Sequence, residues 1–180
     1  LSGHLLRGLN TGRLDIAVLV SDDDAALLRA VPLMDEALFL VSRAGASPAG
    51  KSVSLRKLAG LPLALPGHQH GVRAIVEHAV QAQGLRLSNV AVLANSMSIM
   101  REAMLQGLAH CVMPWAAVDG ELARGELVAQ PIAPALKRRV HVCTARDAQL
   151  SLAGKAVFEA LLEETRARAR AGQWHGVKLL

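Results

Sequence analysis

Residues 95–118, NSMSIMREAMLQGLAHCVMPWAAV, constrain the fold more than any other part of the chain. Asn95 and Ser96 read as a helix start, where Ser96 or Ser98 can cap the first free N–H groups. Ile99, Met100, Ala103, Met104 and Leu108 then recur at helical spacing, so one face is apolar. Gly107 stands where a left-handed residue closes a helix. Cys111, Val112 and Met113 form a short apolar strand that Pro114 stops, and a second helix is expected over 116–123, closed by Gly125. Helix, tight turn, buried strand and proline in so short a span are the layout of an α/β domain. The polar junction that opens the stretch is a natural place to hold a small anion.

The rest of the chain repeats this grammar. Residues 1–9 read as a short amphipathic helix with Leu1, Leu5, Leu6 and Leu9 on one side, ended by Asn10-Thr11-Gly12. Residues 14–20, LDIAVLV, are a nearly continuous apolar run, the kind that suits a strand buried on both faces. Residues 27–43 carry a strand pair, 44–51 a Gly/Ser/Pro loop, 52–58 a short helix and 61–66 a buried strand. The loop 67–71, Gly-His-Gln-His-Gly, feeds a helix over 72–83 with Ile75, Val76, Ala79 and Val80 on its apolar face and Gly84 behind it. Strands are expected at 89–93, 127–132 and 137–144, and a long helix over 151–171 with Ser151 as its cap. Residues 172–180 read as a loose tail. Alternating strands and helices in this order give an α/β fold.

Composition narrows the function classes. The chain is 52% hydrophobic and 19% charged, enough apolar material for a real core, and with only Phe39, Phe158, Trp115 and Trp174 as aromatics that core must be Leu, Val, Ala and Met. The net charge of +5 would permit nucleic-acid contact, but the basic residues are scattered. The densest cluster, Arg166, Arg168 and Arg170, follows Glu163 and Glu164 as the mixed-sign end of a solvated helix does. No apolar run approaches the length of a membrane span, no signal peptide is visible, and the chain reads as cytoplasmic. Cys111 and Cys143 both lie in apolar runs, as buried free thiols do. Asp22-Asp23-Asp24 reads as a solvated acidic loop, not a metal site. The chain opens in mid-pattern at a leucine, as a piece of a longer protein would.

Several segments resemble the effector-binding domain of LysR-type transcriptional regulators. Gly107-Leu108-Ala109-His110-Cys111-Val112-Met113-Pro114 is similar to that family's Gly-Leu-Gly-hydrophobic-Ala-hydrophobic-hydrophobic-Pro segment, with Ala109 in place of the second glycine and His110 in place of a valine or isoleucine. Leu9-x-x-Gly12-x-Leu14-Asp15-Ile16-Ala17 resembles its G-x-L-D passage, and Pro32 to Val41 its P-L-x-x-E-x-L-x-L-V strand pair. Residues 52–58, ahead of Leu61-Pro62-Leu63, resemble the family's short helix, and 137–144, KRRVHVCT, the strand that returns towards the first subdomain. The resemblance runs from residue 1 to about 169. It implies two Rossmann-like α/β subdomains joined by two crossover strands, of the type 2 periplasmic-binding-protein kind. Subdomain I would hold residues 1–41 and 147–180, and subdomain II residues 42–146. It implies no cofactor, a small-molecule effector bound between the subdomains, a homo-oligomer (dimer or tetramer) in the full-length protein, and DNA contact only through a helix-turn-helix absent from this chain. A strand, helix and strand that precede residue 1 in the family are absent as well.

Two helix starts are the candidate ligand contacts, because free N–H groups and the helix dipole favour anions. One is His68, Gln69, His70 and Gly71, with Arg73 in the first turn. The other is Asn95, Ser96 and Met97, with Ser98 following. Both match positions where LysR-type domains place ligand contacts. The plain alternatives are capping at Asn95 and Ser96 and a solvated loop at His68 and His70. The His-x-His spacing would hold zinc only if His78 and Cys111 converged on it, so no metal site is expected. His110 beside Cys111 is not a nucleophile pair, since neighbouring strand residues point to opposite faces. No G-x-S-x-G, G-x-G-x-x-G or phosphate-loop signature is present. The reading is therefore a regulatory, non-enzymatic binding domain. The alternatives are a free-standing solute-binding protein of the same architecture and, further off, an enzyme on a related α/β scaffold with His110 or His70 in its site.

Overall fold

The computed structural model describes residues 2–20, 28–67 and 71–180. The chain divides into two compact units, residues 1–36 with 138–180, and residues 37–137. The divisions fall inside two long strands, β2 (Arg29–Arg43) and β7 (Leu127–Thr144), each of which runs from one unit into the other. These are the two crossover strands expected from the sequence. The units meet within them, so residues 37–41 belong with the second unit and 138–146 with the first, a different boundary from the one read off the sequence.

The second unit is built on strands in the order β2, β6, β4, β5, where β4 is Leu63–Leu65, β5 Val90–Leu93 and β6 His110–Pro114. Strand β4 runs parallel to both β5 and β6, β2 runs antiparallel to β6, and the short β3 (Val53–Ser54) runs parallel to β7. Because side chains alternate along a strand, Leu38, Leu40, Leu63, Leu65 and Val112 share one face and Val41, Ala64, Cys111 and Met113 the other. Both sets are buried, so the sheet needs cover on both sides. On the first face α2 (Leu55–Gly60) and α3 (Gly71–Gln81) supply Leu55, Leu58, Val76 and Val80. On the second α4 (Met97–Leu105) supplies Met100, Ala103 and Met104. Opposite cover follows from topology. The chain steps outward from β4 to β5 through α3, then back past β4 to β6 through α4, and right-handed crossovers taken in opposite directions place their helices on opposite faces.

Local chemistry sets the element ends. Ser54, Ser96 and Ser151 cap α2, α4 and the long helix α6 (Leu152–Arg170), each hydroxyl accepting from the N–H three residues on. Gly107 closes α4 at φ +71°, a conformation costly to any residue with a Cβ. Ala109, where the family has a glycine, lies at an ordinary negative φ, so alanine is free of strain there. The helix expected over 116–123 is two pieces, a 3₁₀ turn at Trp115–Ala117 and α5 (Asp119–Ala123), with Trp115 Nε1 donating to Asp119 Oδ1 at 3.0 Å.

In the first unit α1 (Ser2–Asn10) packs Leu9 with Ala17 and Leu19 of β1 (Ala17–Leu19) and with Cys143 of β7, while Leu33, Met34, Val140 and Val142 gather under Leu162 of α6. Strand β1 pairs antiparallel with β7, Ala17 opposite Cys143. Two expectations are corrected. Residues 127–144 form one strand, not two: the expected gap at 133–136 holds Pro134, but Pro134 is exposed, as is Pro131, and a strand tolerates proline where no ladder N–H is needed. The tail is not loose. Its segment β8 (Val177–Leu179) pairs antiparallel with β2, and Trp174, Val177 and Leu179 pack on the cluster under α6. The acidic run Asp22-Asp23-Asp24 lies outside the described residues.

That packing makes the carboxyl-terminal segment part of the core. Deleting residues 173–180 is expected to lower stability by about 2–4 kcal/mol, the burial of two or three half-covered apolar side chains. Urea unfolding of the shortened chain measures this, and an unchanged midpoint would show that the strand contributes nothing.

Candidate functional site

Strands β4 and β5 are parallel neighbours, so the segments that follow them leave the same end of the sheet. Leu65-Pro66-Gly67 leads towards α3, and Ala94-Asn95-Ser96 leads into α4. Ligands of open α/β sheets bind at such carboxyl ends. Here the two segments are joined: the Gly67 N–H donates to Asn95 Oδ1 at 2.8 Å. The approach is close: a Cβ at position 67 would lie 3.3 Å from Asn95 Oδ1 and 3.5 Å from its Nδ2, so the amide would have to give by a few tenths of an ångström. Asn95 is exposed, and its amide group is held by the facing loop, not by its own helix.

One residue on, Ser96 caps α4 loosely, with the Ile99 N–H 3.5 Å from its Oγ. Met97 is 39% exposed at the first position of the helix. Gly71 opens α3, half-buried, while His68, Gln69 and His70 lie outside the described residues. Arg73 is buried: its Nε pairs with Glu77 Oε1 at 2.7 Å and its Nη1 donates to the Pro66 carbonyl at 3.1 Å. Two faces of its guanidinium are thus taken up inside the chain, tying the first turn of α3 to the strand exit that carries Gly67. Of the residues singled out in the sequence, Asn95, Ser96 and Met97 come together with the loop at Gly67, and Arg73 holds that loop from beneath.

At the opposite end of the same sheet is a contact that no sequence signal announced. Ser42 and His110 lie 68 positions apart and side by side on β2 and β6, with Ser42 Oγ 2.7 Å from His110 Nδ1. Burial lowers the His110 pKa from its ordinary value, so the ring is neutral at pH 7 and can accept the serine proton. Ser42 is fully buried, which removes it as a nucleophile. Cys111, on the other face of β6, packs against α4 with its thiol 3.8 Å from the Met100 carbonyl, and burial pushes that thiol up to about 12. Cys143 is equally buried. Among the described residues no three His, Cys, Asp or Glu side chains gather as a metal site, and no helix is long and apolar enough to cross a membrane.

Two ion pairs sit where β2 and β7 leave the first unit: Glu36 with Arg138 at 2.7 Å and Asp35 with Arg139 at 2.8 Å. Their sequence separations, 102 and 104, hid them from any local reading.

Comparison with known proteins bears on all of this. Residues 1–166 match the family described as the LysR substrate binding domain. The HTH-type transcriptional regulator BbuR of Bordetella bronchiseptica is 30% identical over 183 residues, covering 98% of this chain and 54% of that protein. The chain spans about half the length of the curated relatives it matches. The reduced form of the OxyR regulatory domain from Pseudomonas aeruginosa is 26% identical and superposes with a TM-score of 0.72 over 91% of this chain and 78% of that one. The CcmR regulatory domain of Synechocystis PCC6803, in complex with 2-PG, has a TM-score of 0.79 at 21% identity, over 90% of this chain and 78% of that one.

The His110 contact has a pH signature. The folded pKa is depressed below the unfolded value of about 6.5, so the contribution is complete above 6.5 and is lost as pH falls towards the folded pKa. Thermal stability is expected to decline from pH 7 to 5, and His110→Gln, which cannot take up a proton, should flatten that decline. Melting curves of both proteins across this range provide the check; equal slopes would show that His110 does not contribute.

Proposed function

Because this chain belongs to the LysR substrate binding domain family, we propose that it is the effector-sensing domain of a DNA-binding transcriptional regulator and that a small anionic metabolite binds at the Gly67–Met97 junctions of its second unit. The observation that carries the site is the Asn95–Gly67 bridge. It fixes two strand-exit loops against each other at the carboxyl end of parallel strands, and α4 begins at once behind them with its free N–H groups and favourable dipole. Asn95, Ser96, Met97 and Gly71 are the proposed contacts, together with His68, Gln69 and His70, which precede α3 in the sequence. Arg73 acts through Pro66, holding the loop. A likeness of fold to the CcmR domain solved with 2-PG supports the reading.

The response is a population shift. An effector that binds one arrangement of the protein more tightly than another moves the equilibrium by that difference in affinity and no more. The domain works without catalysis, in the cytoplasm, within a homo-oligomer whose DNA contacts lie outside these residues.

Thiol oxidation is the second reading, raised by the likeness to an OxyR domain described in a reduced form. The chemistry of this chain opposes it. The thiolate is the species that reacts, and a Cys111 pKa of about 12 leaves on the order of one thiolate in 10⁵ at pH 7. Neither cysteine is exposed. We therefore assign sensing to reversible binding. In the native protein neither thiol should react with a thiol-specific reagent on the scale of minutes, and both should react after unfolding; rapid native labelling would restore the redox reading.

The site is tested with a panel of small anionic metabolites by thermal shift and then by calorimetry on wild type, Ser96→Ala and Asn95→Ala. Loss of the cap alone costs about 1 kcal/mol of stability. For a ligand contact, affinity should fall by more than stability does. Unchanged affinity in both variants would remove this site.

A further inference from the structure

A recess lies wholly in the first unit. It encloses about 470 Å³ between the start of β2, the end of β7 and the first turns of α6, within the range of small-molecule pockets. Its apolar wall is Val31 and Phe158, both continuous with the cluster under Leu162. Thr144, 4% exposed, contributes a hydroxyl at the strand end. Arg29 on β2 and Lys155 on α6 bring two cations to it, and Glu159, one turn beyond Lys155, brings one anion.

The charges are what set this recess apart. Arg73, Arg101 and Arg138 are by contrast each engaged by a carboxylate, of Glu77, Glu121 and Glu36 in turn. Among the described residues, Arg29, Lys155 and Glu159 form no ion pair. The recess therefore carries a net single positive charge beside an apolar wall. Water can satisfy the cations, but it gains nothing from Val31 and Phe158. A ligand with one carboxylate and an apolar body satisfies both, its charge taken by Arg29 and Lys155 and its body removed from water against the wall.

The geometry points to a second ligand site at this recess, selective for small monocarboxylates with an apolar body. It is separate from the Gly67–Met97 junctions in residues, in unit and in chemistry, and it does not depend on what binds there. An occupant would bridge β2, β7 and α6, the three elements that hold the core of the first unit together.

The test uses phenylacetate and 4-methylpentanoate as probes, with neutral phenylacetamide as control, added to the ¹⁵N-labelled chain. Chemical-shift changes are expected to centre on the amides of Arg29, Thr144 and Lys155–Phe158, and phenylacetamide should bind about tenfold or more weaker, the loss of one charge-assisted hydrogen bond. The double variant Arg29→Gln, Lys155→Gln should weaken phenylacetate by at least the same factor. Both side chains are exposed, so the variant's spectrum should show the native fold. Ser96→Ala should leave phenylacetate binding unchanged, which separates this site from the proposed effector site. Shifts that map elsewhere, equal binding of the amide, or full affinity in the double variant would overturn the proposal.

Discussion

Burial of one small sheet on both of its faces organises the second unit. Strands β4 and β6 and the adjoining part of β2 carry side chains that are apolar up and down alike, Leu63 and Leu65 one way, Ala64 the other, Val112 against Cys111 and Met113. Such a sheet cannot stand in water on either side. It requires a helix over each face, and right-handed crossovers supply them only when the chain reverses direction across the sheet. That reversal brings β4 and β5 side by side, both running the same way, so that Gly67 and Asn95 meet at one end. The candidate site is a geometrical consequence of how the core is covered.

Polar groups then finish what the apolar pattern begins. The Asn95 side chain spends its oxygen on the opposite loop, leaving Ser96 to cap the helix. Arg73, placed in the first turn of α3 where a ligand-binding cation would be expected, is instead held by Glu77 and the Pro66 carbonyl. A buried guanidinium needs such partners, because leaving one unsatisfied costs more than the bond itself contributes. The same economy appears at His110. The family pattern has an apolar residue there, and the half-buried imidazole is accommodated by Ser42 across the strand pair. The two acidic–arginine pairs at Asp35–Arg139 and Glu36–Arg138 join β2 to β7 as both strands leave the first unit.

The amino-acid sequence by itself determined the class of fold, most of the elements and several of their ends. Helical and strand periodicity, serine caps at 54, 96 and 151, and glycine at 107 are local signals, each decided within about five residues. The family resemblance rested on the same local passages, and it held. Tertiary structure alone decided the rest. A strand reading through Pro131 and Pro134, and a tail that pairs with β2, depend on which N–H groups face a neighbour and on where apolar surface is left uncovered. Neither is written in a window of sequence. The contact that shapes the site joins residues 28 positions apart, and the one at the other end of the sheet residues 68 apart. Their energy exists only once the sheet has brought the partners within about 3 Å, which is why Asn95 could be picked out as important while its partner at Gly67 could not.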